Sequence, residues 1–309
     1  IFRNTPQWFI SMEENELRSK SLKAIDEVQW IPERGKNRIR SMVESRPDWV
    51  VSRQRAWGVP LAIFVNKGTG EPLRDQEVND RISKSFNETG SDAWFSTKAQ
   101  EYLGDKYIAD EWEKVNDILD VWFDSGSTHS FVLEGEDGLG SPANLYLEGS
   151  DQHRGWFQSS LVVSCGTRGK APFKQVLTHG FVMDKNGRKM SKSLGNVILP
   201  DDLIDKYGAD VVRLWVVSSD FTEDLRVGEE IMKANVESYR KIRNTFRFLL
   251  GNLHNFNQDE VVSYDEMPEL EKYILHKLSI IDRKVKKGYK EYDLKFVKRG
   301  STIHIECLQ

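Results

Sequence analysis

The spacing of apolar and polar positions predicts a chain that begins with alternating strands and helices and ends with helices alone. Strands that alternate with helices are typical of an α/β protein with a parallel sheet, which we expect up to residue 227. Residues 66–114 are charged and irregular in pattern, so we expect a surface insertion there. Periodic apolar positions predict helices at residues 13–25, 37–43, 152–164, 200–207, 209–218, 228–253 and 268–291, and apolar runs predict strands at residues 145–148 and 174–183.

The composition is that of a folded globular protein. Of the 309 residues, 39% are hydrophobic and 30% are charged, which excludes a disordered chain. No apolar run approaches the roughly 18–20 residues of a spanning helix, and no signal peptide pattern opens the chain. The chain starts at Ile1 with strand-like sequence, so we expect it to be a piece of a longer protein.

The two cysteines, Cys165 and Cys307, lie far apart in the sequence and form no CxxC motif. This spacing excludes a disulfide framework and a zinc site built on cysteines. We therefore expect a cytoplasmic protein. The net charge of −4 excludes general attraction to nucleic acid, but residues 283–299 carry eight basic and two acidic side chains. That segment indicates either a contact with RNA or a solvated helix face.

Residues 184–196 gather four cationic side chains, two hydroxyls and two glycines. Ammonium groups, small donors and a flexible backbone are the groups that hold a polyphosphate. The glycine spacing does not match the GxxxxGK[ST] phosphate-binding loop, and an exposed basic loop without a ligand is the alternative. The candidate side chains of this lysine-rich loop are Lys185, Arg188, Lys189, Ser191, Lys192 and Ser193.

A second group of polar side chains follows the apolar run 145–148. In a parallel sheet, ligands bind at the carboxyl ends of the strands, beside helix N-termini that can face an anion. A carboxylate there could hold an amine or a ribose hydroxyl, whereas a single histidine in this position is more often structural. We expect Ser150 or Asp151 to cap the following helix. The candidates are Glu148, Gly149, Asp151, Gln152 and His153.

Two tryptophans lie next to these polar groups in the sequence. Trp122 stands in the segment 120–127, and Trp156 follows the second polar group. We expect an aliphatic substrate to be held between the two indole rings. The alternative is that both are core residues, because the chain contains nine tryptophans.

Four segments of the chain resemble class I aminoacyl-tRNA synthetases. Residues 189–193 read KMSKS, a signature of that class. The segments 52–58 (SRQRAWG), 120–126 (DVWFDSG) and 146–157 (YLEGSDQHRGWF) resemble the isoleucine-specific members. The resemblance implies a Rossmann-type parallel sheet with an insertion, followed by the start of an all-α anticodon-binding bundle.

The resemblance also implies an activity and roles for the candidate residues. Family members join isoleucine to ATP as an adenylate, with Mg²⁺ bound to the ATP, and pass the isoleucyl group to tRNA(Ile). They act in the cytoplasm, and we expect the full-length enzyme to be a monomer. Lys189 and Lys192 would be catalytic, and Trp122 and Trp156 would form the isoleucine side-chain pocket. ATP would contact Met190, Ser191, Lys192 and Ser193, and the adenylate would contact Glu148, Gly149, Asp151 and Gln152.

The sequence departs from the family in several places. No His-x-Gly-His string, the second ATP signature, occurs, and the cysteines that bind zinc in full-length members have no counterpart. We expect residues 1–45 to be the end of the editing-domain insertion and the return into the catalytic domain. Residues 46–227 would be the second half of the catalytic domain, and 228–309 the truncated start of the helical domain. The sequence after about residue 294 loses the likeness, as it would after a frameshift.

These departures leave four hypotheses open. The first is a fragment of an isoleucine–tRNA ligase that is largely inactive by itself. The second is a sister enzyme for valine or leucine. The third is a non-catalytic remnant that binds tRNA or a nucleotide through Lys189, Lys192 and the basic segment 283–299. The fourth is a non-functional fragment.

Overall fold

The computed structural model describes residues 4–135 and 138–294. The chain divides into two compact units. The first unit comprises Ile1–Tyr146 and Asp151–Leu177, and the second comprises Leu147–Ser150 and Thr178–Gln309. The predicted tail 300–309, with Cys307, and residues 295–299 of the basic segment lie outside the described residues.

The first unit alternates short strands with helices, as the sequence predicts. Strand β8 (Tyr146–Gly149) and strand β9 (Gln175–His179) both lie where the chain passes between the units. The remaining strands are β1 (Phe9–Ile10), β2 (Gln29–Ile31), β3 (Trp49–Val50), β4 (Ser52–Arg53), β5 (Phe64–Asn66), β6 (Trp112–Lys114) and β7 (Ile118–Leu119). The helices are α1 (Leu17–Glu27), α2 (Arg34–Glu44), α3 (Gln76–Thr89), α4 (Ala93–Ser96), α5 (Ala99–Leu103), α6 (Val121–Gly126) and α7 (Trp156–Arg168).

One sheet has three strands in the order β2-β9-β8. Strands β2 and β9 are parallel, with Trp30 opposite Val176. Helix α7 is buried from Phe157 to Cys165, and its apolar residues join those of α1 and α2 in one core. A helix that is buried on nearly every side belongs to the interior of a layered domain. The predicted α/β class with a parallel sheet is therefore confirmed.

The segment predicted as a surface insertion has a core of its own, which the sequence analysis did not predict. The rings of Phe64, Trp94 and Tyr102 are fully buried, and Trp94 and Tyr102 stack with centroids 5.6 Å apart. Helix α3 begins at an ordinary cap, because the Asp75 carboxylate accepts from the N–H groups of Glu77 and Val78. Apart from the buried Asp75, the charged residues of this segment are exposed or half-buried, which hides the core in a charge-rich sequence.

In the stretch 180–294, the second unit has two strands and four α-helices. Strands β10 (Val182–Met183) and β11 (Leu225–Arg226) are parallel. Val211, Trp215, Val227 and Met232 form its core. The helices are α8 (Pro200–Tyr207), α9 (Ala209–Ser218), α10 (Glu229–Asn252) and α11 (Glu269–Glu291), within one residue of the predicted bounds at each end.

One predicted strand is broken in the structure. The sequence predicts a single strand over residues 174–183, but β9 ends at His179 and β10 starts at Val182. Gly180 lies between them, and its N–H donates to the carbonyl of Phe221 at 2.8 Å. A Cβ on Gly180 would overlap the carbonyl of Glu223, so only glycine permits this close approach.

Among the residues that the structure describes, no helix is both long enough and apolar enough to span a bilayer.

Candidate functional site

The lysine-rich loop, residues 184–196, is organised around one buried carboxylate. Asp184 Oδ1 accepts from the backbone N–H groups of Asn186 and Arg188, both at 2.9 Å. Its Oδ2 accepts from Arg188 Nε at 2.9 Å and from Asn196 Nδ2 at 3.0 Å. These hydrogen bonds, led by that from Asn196, hold the pKa of Asp184 well below its usual range. The carboxylate therefore ties both ends of the loop together.

The middle of the loop is a short turn that depends on two serines and a methionine. Ser191 Oγ accepts from the N–H of Leu194 at 3.3 Å and lies 3.1 Å from Ser193 Oγ. Met190 packs against the core of the second unit, and its Sδ accepts from the N–H of Ile198. Met190 thus anchors the loop, while the two hydroxyls lie together on its surface.

The two signature lysines are both exposed. Lys189 Nζ lies 5.3 Å from the centre of the Phe181 ring, where its charge faces the π surface. Lys192 stands on the turn Lys192–Leu194, and its amine has no ion pair within residues 4–135 and 138–294. An unpaired amine on a well-supported turn is available to an anionic ligand.

The second polar group follows strand β8, as predicted. Glu148 is exposed at the end of the strand, and Gly149 is buried. Asp151 and Gln152 lie in the turn Ser150–Arg154, where Gln152 Nε2 donates to Asp151 Oδ2 at 3.3 Å. Glu148 and Asp151 therefore present carboxylates to solvent.

The predicted cap of the following helix was wrong. Helix α7 starts at Trp156 rather than at residue 152, because a 3₁₀ turn occupies residues 150–154. The N-cap residue is Gly155, which has no side chain, and Gln152 Oε1 accepts from the N–H of Trp156 at 3.0 Å. Gln152 thus orients the first turn of α7, which carries Trp156.

The two predicted pocket tryptophans lie close to the same glycine. Trp122 on α6 is 43% exposed, and its ring edge would be 2.9 Å from a Cβ on Gly155. Trp156 stacks on Tyr146 with centroids 4.1 Å apart and donates through Nε1 to the carbonyl of Ser125 at 2.9 Å. The structure therefore brings Trp122, Gln152 and Trp156 together at the junction of α6 and α7.

His153 is a core residue. It is buried, lies against Trp30 with ring centroids 6.1 Å apart, and meets the edge of Phe157. The structure therefore supports a structural role for His153, which was the alternative to a role in binding.

Two features were missed by the sequence analysis. Trp57, in the segment SRQRAWG, is 91% exposed and offers a free aromatic surface. Asp120, the first residue of DVWFDSG, is a buried carboxylate that binds three other residues. A signal for Asp120 exists in the sequence, because aspartate before an apolar helical segment is a typical N-cap.

The sites divide between the units. The lysine-rich loop, Glu148 and Gly149 belong to the second unit, and Asp151, Gln152 and both tryptophans belong to the first. Across the described ranges, no three histidine, cysteine or acidic side chains form a group that could hold a metal ion.

Known proteins with similar sequences are ligases. The chain is 56% identical over 296 residues to the isoleucine–tRNA ligase of Pelagibacter ubique, covering 95% of this chain and 33% of that ligase. It is 57% identical over 292 residues to the isoleucine–tRNA ligase of Zymomonas mobilis, covering 92% of this chain and 31% of that ligase. The chain spans about a third of the length of the curated relatives it matches.

Solved structures with the same fold are also synthetases. The ternary complex of Agrobacterium radiobacter K84 leucyl-tRNA synthetase with tRNA and LeuAMS matches with a TM-score of 0.65 and 20% identity, covering 84% of this chain and 36% of that one. Methionyl-tRNA synthetase from Mycobacterium tuberculosis, bound by methionyl-adenylate, matches with a TM-score of 0.63 and 17% identity, covering 94% and 50%. These likenesses establish the fold.

The family described as tRNA synthetases class I (I, L, M and V) matches residues 1–228, which is most of the chain. The match includes the lysine-rich loop, strand β8 and both helices that carry the tryptophans. The chain therefore belongs to the class I tRNA synthetase family.

Proposed function

We propose that this chain is part of an isoleucine–tRNA ligase, which activates L-isoleucine with ATP and transfers the isoleucyl group to tRNA(Ile). One observation carries the proposal: the KMSKS turn presents two exposed lysine amines on a loop tied by Asp184. Its sequence context is more than half identical to that of named isoleucine–tRNA ligases.

Lys192 and Lys189 would stabilise the triphosphate of ATP during activation. A carboxylate oxygen of isoleucine attacks the α-phosphorus, the bond to the β-phosphate oxygen breaks, and pyrophosphate leaves with the bonding electrons. Negative charge accumulates on the leaving phosphates, so preorganised ammonium groups lower the barrier. Mg²⁺ would enter as part of the ATP complex and neutralise phosphate charge, since the described residues offer no cluster of ligands for it or for zinc.

Residues around strand β8 and helix α7 would hold the adenylate. Glu148 is an exposed carboxylate, suited to an ammonium or a ribose hydroxyl, and the buried Gly149 allows close approach of the backbone. Gln152 and Asp151 would line the same pocket. Trp122 and Trp156 would form the walls around the isoleucine side chain, because both lie at the junction of α6 and α7.

Transfer of the isoleucyl group to tRNA depends mainly on positioning the ribose hydroxyl against the adenylate and requires no further catalytic side chains. A ribose hydroxyl of the tRNA end attacks the carbonyl carbon of the adenylate, and AMP leaves with the bonding electrons. Orientation of the two bound reactants supplies much of the acceleration.

We propose the domain bounds 1–45, 46–227 and 228–309, a cytoplasmic location and a monomeric full-length enzyme. Because the chain contains no His-x-Gly-His string, we expect little activity from the 309 residues alone.

A chimaera tests the proposal. This chain replaces the aligned residues of the Pelagibacter ubique ligase, and isoleucine-dependent exchange between ATP and pyrophosphate is measured. We expect exchange with isoleucine, and a loss of about 100-fold in Lys192→Ala, as for removal of one preorganised donor. Lys241→Ala is the matched control, since Lys241 is an exposed lysine of the same unit on helix α10, outside the lysine-rich loop. We expect that variant to stay within about threefold of the parent.

The other outcomes decide between the hypotheses. Exchange supported better by valine or leucine would assign the chain to a sister ligase. A folded chimaera that binds tRNA but supports no exchange would favour the non-catalytic remnant. Equal activity of Lys192→Ala and Lys241→Ala would refute the role of Lys192.

A further inference from the structure

A buried carboxylate connects helix α6 to the strands beneath it. Asp120 is 5% exposed and precedes the first residue of α6. Its Oδ2 accepts from Trp49 Nε1 at 3.0 Å and pairs with the guanidinium of Arg53 at 3.0 Å. Its Oδ1 accepts from the backbone N–H of Trp122 at 3.4 Å, and its own N–H donates to Val51. One side chain therefore joins β3, β4 and the start of α6.

The same network reaches helix α7 through an arginine. The guanidinium of Arg46 lies over the Trp49 ring, 5.1 Å from its centre, and donates to Gln158 on α7. Burial lowers the pKa of Arg46, and the Asp120 carboxylate opposes that effect by favouring the charged form. Arg46 and Asp120 thus both contact Trp49: Arg46 lies over its ring, and Asp120 accepts from its indole N–H.

Each end of the network supports one predicted pocket tryptophan. Asp120 caps α6, whose second residue is Trp122. Arg46 binds Gln158, which lies two residues after Trp156 on α7. The two helices also meet directly, since the Ser125 carbonyl on α6 accepts from Trp156 Nε1. The relative position of the two indoles therefore depends on groups that touch neither ring face.

We propose that Asp120 is a positioning residue that sets the geometry of the pocket formed by Trp122 and Trp156. The inference rests on the proposed function, because it assigns that pocket to the amino-acid side chain. Asp120 itself is buried against Trp49 and Arg53, so it would act on the substrate only through other residues. Its charge matters because a buried carboxylate holds two donors and a helix N-terminus in one arrangement, which a neutral small side chain cannot do.

Fluorine NMR of the 309-residue chain labelled with 5-fluorotryptophan tests the geometry without any ligand. Asp120→Ala should shift or broaden the Trp122 and Trp156 signals, each assigned from its Trp→Phe variant, and leave the Trp94 signal unchanged. The matched control is Asp75→Ala. Asp75 is also a buried carboxylate that caps a helix, α3, and pairs with a cation, Lys106, but it supports the insertion core. That control should perturb Trp94 and leave Trp122 and Trp156 unchanged.

Exchange kinetics of the chimaera test the consequence for substrate. We expect Asp120→Ala to raise the KM for isoleucine about tenfold and the KM for ATP less than about twofold, since small displacements of a positioning group carry such costs. Asp120→Asn keeps the size and one acceptor oxygen but loses the charge that pairs with Arg53, so it should recover only part of the loss. It also serves as the test variant if Asp120→Ala does not fold. Asp75→Ala should leave both KM values unchanged.

The outcomes distinguish a failure of the proposed ligase function from a failure of the positioning role of Asp120. If the unmodified chimaera supports no exchange, the proposed function fails, and the fluorine signals still decide the positioning role. Unchanged Trp122 and Trp156 signals in Asp120→Ala would overturn the inference. Equal effects on both KM values, or equal effects of Asp120→Ala and Asp75→Ala, would reduce Asp120 to a general stabilising residue and also overturn it.

Discussion

Gly126→Ala should destabilise the protein, although alanine is the better helix former. Gly126 ends helix α6, and a Cβ there would lie 2.9 Å from the carbonyl carbon and 3.0 Å from the carbonyl oxygen of Ser159. Ser159 is buried in the middle of α7, so the obstacle is helix backbone and cannot rotate away. Restoring ordinary contact requires α6 and α7 to separate by about 0.5 Å.

The magnitude follows from two opposing contributions to the free energy of unfolding. Replacing glycine by alanine within a helix gains up to about 1 kcal/mol. Overpacking of a rigid contact costs about 1–3 kcal/mol. The gain is smaller at a helix end, so we expect a net loss of about 1–2 kcal/mol. For a unit of this size the melting temperature should fall by about 2–8 °C.

Gly166→Ala is the matched control within the neighbouring helix. Gly166 is exposed on α7, and its Cβ would meet Leu17 Cδ1 at 3.6 Å, an ordinary contact. This substitution should stabilise the protein by about 0.5–1 kcal/mol. Thermal unfolding followed by circular dichroism at 222 nm, together with urea midpoints, measures both variants. A Gly126→Ala protein that melts at or above the parent temperature would refute the reasoning from close helix packing.

Three further predictions concern separate parts of the chain. The pKa of Asp184 in the folded protein lies below its usual value of 3.8. The ionised carboxylate therefore stabilises the fold above about pH 3.8, and this stabilisation is lost as the pH falls from there through the folded-state pKa. Asp184→Asn should therefore flatten the fall in melting temperature between about pH 5 and pH 2, and an unchanged slope would contradict this. Burial raises the pKa of the Cys165 thiol to about 11, so in a Cys307→Ser background Ellman's reagent at pH 8 should react only after denaturant is added. Gly180→Ala should lower the midpoint of urea unfolding, because the new Cβ would overlap the backbone of Glu223. Gly251→Ala is the control and should leave the midpoint unchanged, because no atom lies within 4 Å of its Cβ. Equal midpoints for the two variants would refute the predicted clash.

Local chemistry explains where sequence prediction succeeded. Helix α8 starts at Pro200, whose ring suits the first helical turn, and ends before Gly208, whose φ of 88° a side chain would disfavour. Both signals lie within the helix or beside it, so the predicted bounds agree with the structure. The KMSKS segment was likewise recognisable because its residues are contiguous.

Contacts between distant residues explain where prediction failed. Trp49 and Asp120 are 71 residues apart, and Arg46 and Gln158 are 112 apart. The periodicity of apolar residues along the sequence cannot predict which distant side chains form hydrogen bonds with each other. The insertion core failed for a similar reason, because its aromatic residues are scattered among charged positions and meet only in three dimensions.

The sequence by itself determined the α/β class, the helices of the second unit and the family of the chain. Each of these depends on periodicity, on caps and glycines, or on contiguous motifs. Only the tertiary structure decided that Gln152 accepts from the N–H of Trp156 at the start of α7, that His153 is a core residue, and that Asp120 binds Trp49 and Arg53 while capping α6. The physical reason is that hydrogen bonds and close packing depend on distance in space, which separation along the chain does not reveal.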